Sequence, residues 1–254
     1  MIDTHCHLQD KQYDGDREQT IARAYDAGLT AMVLVGCDLE DSRRAIEIAK
    51  HFSLSASAGI HPHEAKNAPE NLTPDFGPLL IERCVVAIGE TGLDYYYDHS
   101  PREAQARVLR AQLRLARERG LPVIFHQRDA FDDFVAILRE EFVPGEMRGV
   151  VHCFTGNAEQ ARTLVGDFDL RLGIGGVVTF SKADALRAAV RAVGIENVVL
   201  ETDCPYLAPM PVRGRRNEPA YLRHTADKLA EVLAIGFEEI VATTDRNAYT
   251  LFGV

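Results

Sequence analysis

Two histidine pairs carry the first chemical signal: His5 and His7 in THCHL, and His61 and His63 in GIHPHE. Imidazole nitrogen is a common ligand for divalent cations. In an extended strand residues i and i+2 face the same way, so His5 and His7 aim two rings at one point while Cys6 faces away. Four more side chains of metal-binding type end short apolar runs: Glu90 after VVAIG, His126 after PVIF, His152 after GVV and Asp203 after VVLET. Histidine with carboxylate, and no cysteine ligand, suits zinc, manganese, magnesium or a similar divalent ion, without choosing among them. The chemistry that such a set supports is hydrolysis by metal-activated water.

The elements that must position these groups are legible as eight short β-branched or apolar runs, at 1–4, 31–35, 54–60, 85–89, 123–125, 149–151, 170–174 and 198–200. Helical segments lie between them. One spans 16–27 and closes at Gly28; another spans 39–51, with Ala45, Ile48 and Ala49 at helical spacing. Ser100, Pro101 and Glu103 supply an N-cap, a first-turn proline and a third-position acid, which predicts a long helix from there to Gly120.

Strands alternating with helices imply parallel pairing, and eight such units predict an α/β fold consisting of a single TIM-type (β/α)8 barrel, one domain over 1–254. The rival doubly wound sheet calls for a Gly-rich phosphate loop after an early strand, whereas here the first strand ends in His-Cys-His; Gly173, Gly175 and Gly176 do not match that fingerprint. Barrel enzymes place their chemistry at the carboxyl ends of the strands, where all six candidate ligands fall. Closure sets the eighth strand beside the first, bringing Asp203 to His5 and His7, while strands four to six are neighbours. With Glu90 as a bridging carboxylate, one ion takes His5, His7, Glu90 and Asp203, and the other takes Glu90, His126 and His152.

Charge and cysteine content narrow the partners. Lys and Arg number 28 against 38 Asp and Glu, a net charge of −10, which excludes binding of nucleic acid through a broad basic surface. Positive charge for a phosphate must be local, and Arg213, Arg215 and Arg216 in PVRGRRN provide it just after the eighth strand. His61 and His63 are further candidate substrate contacts. Glu201, two residues before Asp203, is a candidate orienting group behind the ligands. Tyr95, Tyr96 and Tyr97 follow the bridging glutamate, and either stack on a base or pack on the barrel rim. Five cysteines with no C-x-x-C pair give neither a zinc knuckle nor a disulfide framework and fit a reducing cytoplasm; Cys153 and Cys204 read as packing residues. No basic-then-apolar leader and no run of 18 apolar residues is present, so neither a signal peptide nor a membrane span is expected, and no obligate protein partner is evident.

At this point MIDTHCHL, GIHPHEA, GETGLDYYY, HCFTG and LETDCPYLAP, with the later PVRGRRNEPAYL, resemble in order the signature segments of the TatD family of metal-dependent deoxyribonucleases. The resemblance covers nearly the whole chain. It implies an amidohydrolase-like TIM barrel with two divalent metal ions, and a glutamate bridging where related enzymes use a carboxylated lysine. It also implies His5, His7, Glu90, His126, His152 and Asp203 as the ligands, with no departure at any of the six. The expected reaction is hydrolysis of DNA phosphodiesters, as an exonuclease on single-stranded ends, with Asp203 accepting the proton of the attacking water and Glu90 holding both ions. The polarity of such trimming comes only from the resemblance. Metal-activated water also attacks carbonyl carbon, so an ester or amide hydrolase, such as an aminoacyl-tRNA deacylase or a small-molecule amidohydrolase, is the alternative. A catalytically idle barrel is a third class, which the intact ligand set argues against.

Overall fold

The structure is a computed structural model describing residues 1–254. Eight parallel strands form one sheet in the order β1 to β8: β1 (Ile2–Cys6), β2 (Ala31–Leu34), β3 (Ser55–Ala58), β4 (Val85–Asp94), β5 (Val123–Arg128), β6 (Gly149–Val151), β7 (Arg171–Ile174) and β8 (Val198–Leu200). The segment after β8 returns to β1: Cys6 and Cys204 are parallel bridge partners, Asp203 N donates to His5 O at 2.8 Å, and His7 N donates to Cys204 O at 2.8 Å. The fold is the (β/α)8 barrel that the alternation predicts.

The helices are α1 (Arg17–Asp26), α2 (Leu39–Phe52), α3 (Thr73–Phe76), α4 (Arg102–Arg119), α5 (Phe131–Glu141), α6 (Ala158–Phe168), α7 (Asp184–Val193), α8 (Leu222–Leu233) and α9 (Phe237–Phe252). None is long and apolar enough to cross a membrane. Helix α2 starts at Asp38, whose carboxylate accepts from Asp41 N, and buries Ser42, Ala45, Ile46 and Ala49; Ile48 lies at the edge of that face, half-buried. Helix α4 begins one residue later than expected. Ser100 does not cap it, because its hydroxyl donates to His63 O at 2.6 Å and accepts from Lys66 N at 3.1 Å, tying the loop before α4 to the segment after β3.

The strands β4 and β5 run well past their predicted ends, pairing Thr91 with Phe125, Gly92 with His126, Leu93 with Gln127 and Asp94 with Arg128. Gly92 makes this possible. At φ 153° a Cβ there would collide with the His126 backbone, so only glycine lets the two strands approach.

The chain divides into two compact units. The first comprises Met1–Leu34, His152–Asp167 and Arg171–Val254; the second comprises Val35–Val151 and Phe168–Leu170. In the first, Leu172, Val198, Val199, Leu229 and Ile240 are fully buried. In the second, Leu109, Leu113, Ile124 and Leu138 are fully buried, and Phe125 meets Phe134 edge-on with ring centroids 5.3 Å apart. Near-continuous apolar strands of this kind suit a parallel sheet covered on both faces.

Candidate metal centre

The first unit gathers His5, His7, His152, Glu201 and Asp203. Pairing of β1 with β2 shifts register between Asp3 and Cys6, the interval that holds His5. Such irregularities re-aim side chains beside functional sites. His5 Nε2 lies 3.2 Å from His7 Nε2, and Asp203 Oδ1 lies 3.4 Å from His7 Nε2 and 3.8 Å from His5 Nε2. His152, one residue past β6, stacks on His5 with centroids 3.9 Å apart, and its Nδ1 is 3.7 Å from Glu201 Oε1. Two residues here hold left-handed backbone, Asp203 at φ 56° and Cys153 at φ 45°. That conformation is unfavourable for a non-glycine residue and persists when neighbours fix it. Here Asp203 N is bound by His5 O, and Cys153 N donates to Glu201 Oε1 at 2.5 Å.

Asp3 supplies the brace. Its carboxylate accepts from Thr202 N at 2.9 Å, from the Thr202 hydroxyl at 2.6 Å and from His5 N at 3.3 Å, so one buried acid fixes both ligand-bearing segments of this unit. Burial pushes the Asp3 carboxyl up to about 7 and the Glu201 carboxyl up to about 8. Asp203 goes the other way: burial opposes its ionisation, but the His7 hydrogen bond and the His152, His5 and His7 rings outweigh it and hold the carboxyl below its usual range.

The second unit gathers His61, His63, Glu90, Asp94 and His126. Glu90 falls where pairing of β4 with β5 shifts register, between Ile88 and Thr91, and Asp94 is four residues on. His126 Nδ1 is 2.9 Å from Glu90 Oε1 and its Nε2 is 3.0 Å from Asp94 Oδ2. His61 Nε2 is 3.6 Å from Glu90 Oε1, and His63 Nε2 is 3.0 Å from Asp94 Oδ2. Burial raises the cost of a charged Asp94, yet the His126 bond, the Tyr97 amide and the His63 bond together hold its carboxyl well below the carboxylate range. Burial lowers His63, against the pull of Asp94.

Both clusters fit a divalent cation. The ligand atoms of His5, His152 and Glu201 lie within 4.8 Å of one another, as do those of His61, Glu90 and His126. Glu201 Oε2 is buried with no hydrogen-bond partner, a defect costing roughly 1–3 kcal/mol that a cation removes. The bare Gly173 makes room for that oxygen, since a Cβ there would collide with it. In the second unit His126 stands between two carboxylates, and a neutral imidazole has a single N–H to donate, so one contact calls for an added proton or a cation.

All six candidate ligands fall in one cluster or the other, but His152, expected beside Glu90 and His126, stacks instead on His5 in the first unit, where Glu201 joins it. His61 and His63, expected as substrate contacts, lie in the second cluster: His61 beside Glu90 and His126, whose ligand-type atoms are within reach of a shared cation, and His63 against Asp94. Asp94 and Asp3 escape the sequence reading, although each sits at same-face spacing from a predicted ligand: Asp94 at i+4 from Glu90 and Asp3 at i−2 from His5. The two glycines in GETGLD hide the strand that connects Glu90 to Asp94.

The arginine loop divides. Arg216, expected to meet a phosphate, is instead saturated: its guanidinium donates to Gln12 O at 2.6 Å, to both Asp16 oxygens at 2.7 and 2.6 Å and to Glu218 at 3.0 Å, over the Tyr13 ring. A fork with its donors so engaged is a structural tie, and the carboxylates beside it account for its place. Arg213 is exposed, with its guanidinium 4.2 Å over the Phe180 ring, and Arg215 is exposed. All five cysteines are free thiols, with Cys6 and Cys204 fully buried.

Comparison with known proteins finds a match between residues 2–253 and the family described as TatD related DNase. The chain is 41% identical over 255 residues to the uncharacterized metal-dependent hydrolase YabD of Bacillus subtilis, spanning 100% of this chain and 99% of that one. It is 37% identical over 262 residues to the 3'-5' ssDNA/RNA exonuclease TatD of Klebsiella pneumoniae, spanning 100% and 98%. Among solved structures, that of YJJV, a TatD homolog from Escherichia coli, superposes with a TM-score of 0.93 at 30% identity, covering 100% of this chain and 98% of that one.

Proposed function

The chain belongs to the TatD-related DNase family and is a metal-dependent hydrolase, and from that premise we propose that it removes nucleotides from the ends of single-stranded DNA by phosphodiester hydrolysis. The observation that carries this reading is the pair of histidine–carboxylate clusters, each with ligand atoms close enough to share a cation. In this reading His5, His7 and Asp203 hold one divalent ion, and Glu90 and His126 hold the second; His152, stacked on His5, completes the ligand set. The role of Glu90 as a carboxylate common to both ions rests on the family resemblance alone. When bound, the cations acidify water and stabilise the attacking and leaving oxygens of an in-line displacement.

The chain's own residues do the rest. Asp203 is ionised in its histidine setting, so it accepts the proton of the attacking water on its second oxygen. Asp3 fixes the Thr202 backbone, which holds Asp203 in register. Glu201 orients His152 and the Cys153 amide. Arg213 and Arg215 are the exposed guanidiniums of the loop after β8 and draw in the phosphate backbone.

The test is metal-dependent release of mononucleotides from end-labelled single-stranded DNA, run beside amide and aminoacyl-ester substrates with the same metal. Turnover of the strand, lost with chelator, supports the reading. Turnover of the carbonyl substrates alone overturns it.

A further inference from the structure

Beyond the ligands, β4 delivers three consecutive tyrosines, and they do not share one environment. Tyr95 is packed: its hydroxyl donates to Asp133 at 2.8 Å and the Arg102 guanidinium lies 4.0 Å over its ring. Tyr96 and Tyr97 are 58% and 49% exposed, large fractions for rings that lie this close to a buried acid cluster. They meet edge to face with centroids 4.8 Å apart; the Arg128 guanidinium sits 3.9 Å from the Tyr96 centroid and 4.8 Å from that of Tyr97. Tyr97 in turn stacks on His99, with centroids 5.4 Å apart and planes 14° from parallel.

This aromatic surface is held rigidly and in register with the site. Asp94 accepts from Tyr96 N at 3.0 Å and Tyr97 N at 2.9 Å through Oδ1, while its Oδ2 faces His63 and His126. One carboxylate thus fixes the tyrosines with one oxygen and two histidines of the candidate metal centre with the other. Gln105, fully buried, pins both ends of the segment, accepting from Asp94 N at 2.8 Å and donating to Ser100 O at 2.9 Å. The His63 ring touches His99 and Tyr97, so aromatic contact is continuous from the cluster to the rim.

We propose that Tyr96 and Tyr97, with Arg128 and His99 beside them, form a stacking platform for an unpaired nucleobase of the substrate strand. The inference rests on the phosphodiesterase reading and names a contact in it. Every base presents a π face, so such a platform binds strands with little sequence preference, and it requires a base free of its duplex partner. A guanidinium held against both rings adds a positive charge for the phosphates. For a chain of net charge −10, long-range attraction to the backbone is weak and stacking has to supply affinity.

The experiment measures binding of a labelled phosphorothioate oligonucleotide by fluorescence anisotropy, using the full chain with divalent metal, against the same strand carrying abasic sites at its terminal nucleotides. Removal of the bases is expected to weaken binding to the unaltered protein roughly 10-fold, the scale of one base stacked on an aromatic ring. Tyr96→Ala and Tyr97→Ala lose affinity for the normal strand by a similar factor but leave the abasic strand unchanged, and the Tyr→Phe variants bind like the parent. Equal affinity of the unaltered protein for the two strands overturns the platform and needs no variant to fold. So does an equal loss on both strands in the alanine variants. A protein that shows the base-dependent binding but cleaves no phosphodiester retains the platform and refutes the nuclease reading; one that cleaves without base dependence does the reverse.

Discussion

The two clusters are built from the same residue types and are balanced in opposite ways. In the first unit two of the three acids are disfavoured by burial, which pushes Asp3 to about 7 and Glu201 to about 8, and Glu201 Oε2 has no partner; only Asp203 is held low, by its histidines, and both Asp203 and Cys153 occupy left-handed backbone. In the second unit the carboxylates are saturated. Asp94 faces two histidines and two backbone amides, Glu90 faces His126 and His61, and the Asp94 carboxyl is held well below its usual range. The first is a site whose charge is completed from outside. The second is paired internally except for the one proton that His126 lacks between its two carboxylates, so a cation entering it takes over one contact of His126.

The largest effect that this contrast predicts is on turnover. Asp203→Asn removes the proton acceptor of the first unit and is expected to lower kcat on single-stranded DNA on the order of 10³-fold, within the range for loss of a positioned acid–base group; Glu90→Gln takes a carboxylate from the second and is expected to lower kcat at least as far. Metal content sharpens the comparison. Glu90→Gln loses both ions if its carboxylate is shared and one ion if it is not; elemental analysis of the purified variants decides. Calorimetric titration of metal-free protein is expected to give a tighter and a weaker site, with the tighter one abolished by His5→Ala and the weaker one by His126→Ala. The reverse order breaks the comparison.

Next in size are the acids that stand behind the ligands. Asp94→Asn takes the negative charge from His63 and His126 while keeping an acceptor for the two tyrosine amides, and a 10–100-fold loss of affinity at the weaker site is expected, the scale of an outer hydrogen-bond partner. Glu201→Gln works on the other balance. Amide replacement relieves a buried acid that burial disfavours, so the metal-free variant is expected to melt higher than the parent, while metal stabilises it less. Calorimetric scans with and without chelator read both. A metal-free Tm that falls shows Glu201 to be satisfied in the apo protein and removes the contrast.

Barrel topology is legible in the sequence, as is the placing of the six candidate ligands in histidine–carboxylate clusters, because each ends or follows a short apolar run; the grouping of His152 with His5 is not. What is not legible has identifiable causes. Gly89 and Gly92 interrupt the apolar pattern of β4, so its continuation to Asp94 is invisible, and with it the acid that organises the second cluster. Asp3 precedes the histidine motif and has the same alternation, but its function as a brace depends on Thr202, which lies 199 residues away. Ser100 matches a helix cap by type and position, and tertiary contact with His63 claims its hydroxyl instead. Arg216 differs from Arg213 and Arg215 only in which carboxylates the fold sets beside it.

That last difference yields the smallest effect, and one that separates stability from substrate binding. Arg216 pairs with Asp16 and Glu218, while Arg23 reaches the same two acids. The Arg216 hydrogen bond, working against slight burial, holds the Asp16 carboxyl below its ordinary 3.8. A carboxyl depressed in the folded state contributes stability that is fully present above its unfolded value and is lost as pH falls through the folded value. Arg216→Ala is therefore expected to lower Tm by a few degrees at neutral pH, equivalent to about 1 kcal/mol for a partly exposed pair. The gap between variant and parent begins to close as pH drops below about 3.8, where Asp16 of the unfolded chain takes up its proton, and closes fully only well below that, where the depressed carboxyl of the folded parent is protonated too. Arg215→Ala should do the opposite, leaving Tm unchanged and raising KM for the single strand several-fold. Thermal scans over pH beside Michaelis curves for the two variants distinguish a tie that holds the loop from a guanidinium that meets phosphate. An Arg216→Ala protein that keeps its Tm but loses affinity for the strand reverses the assignment.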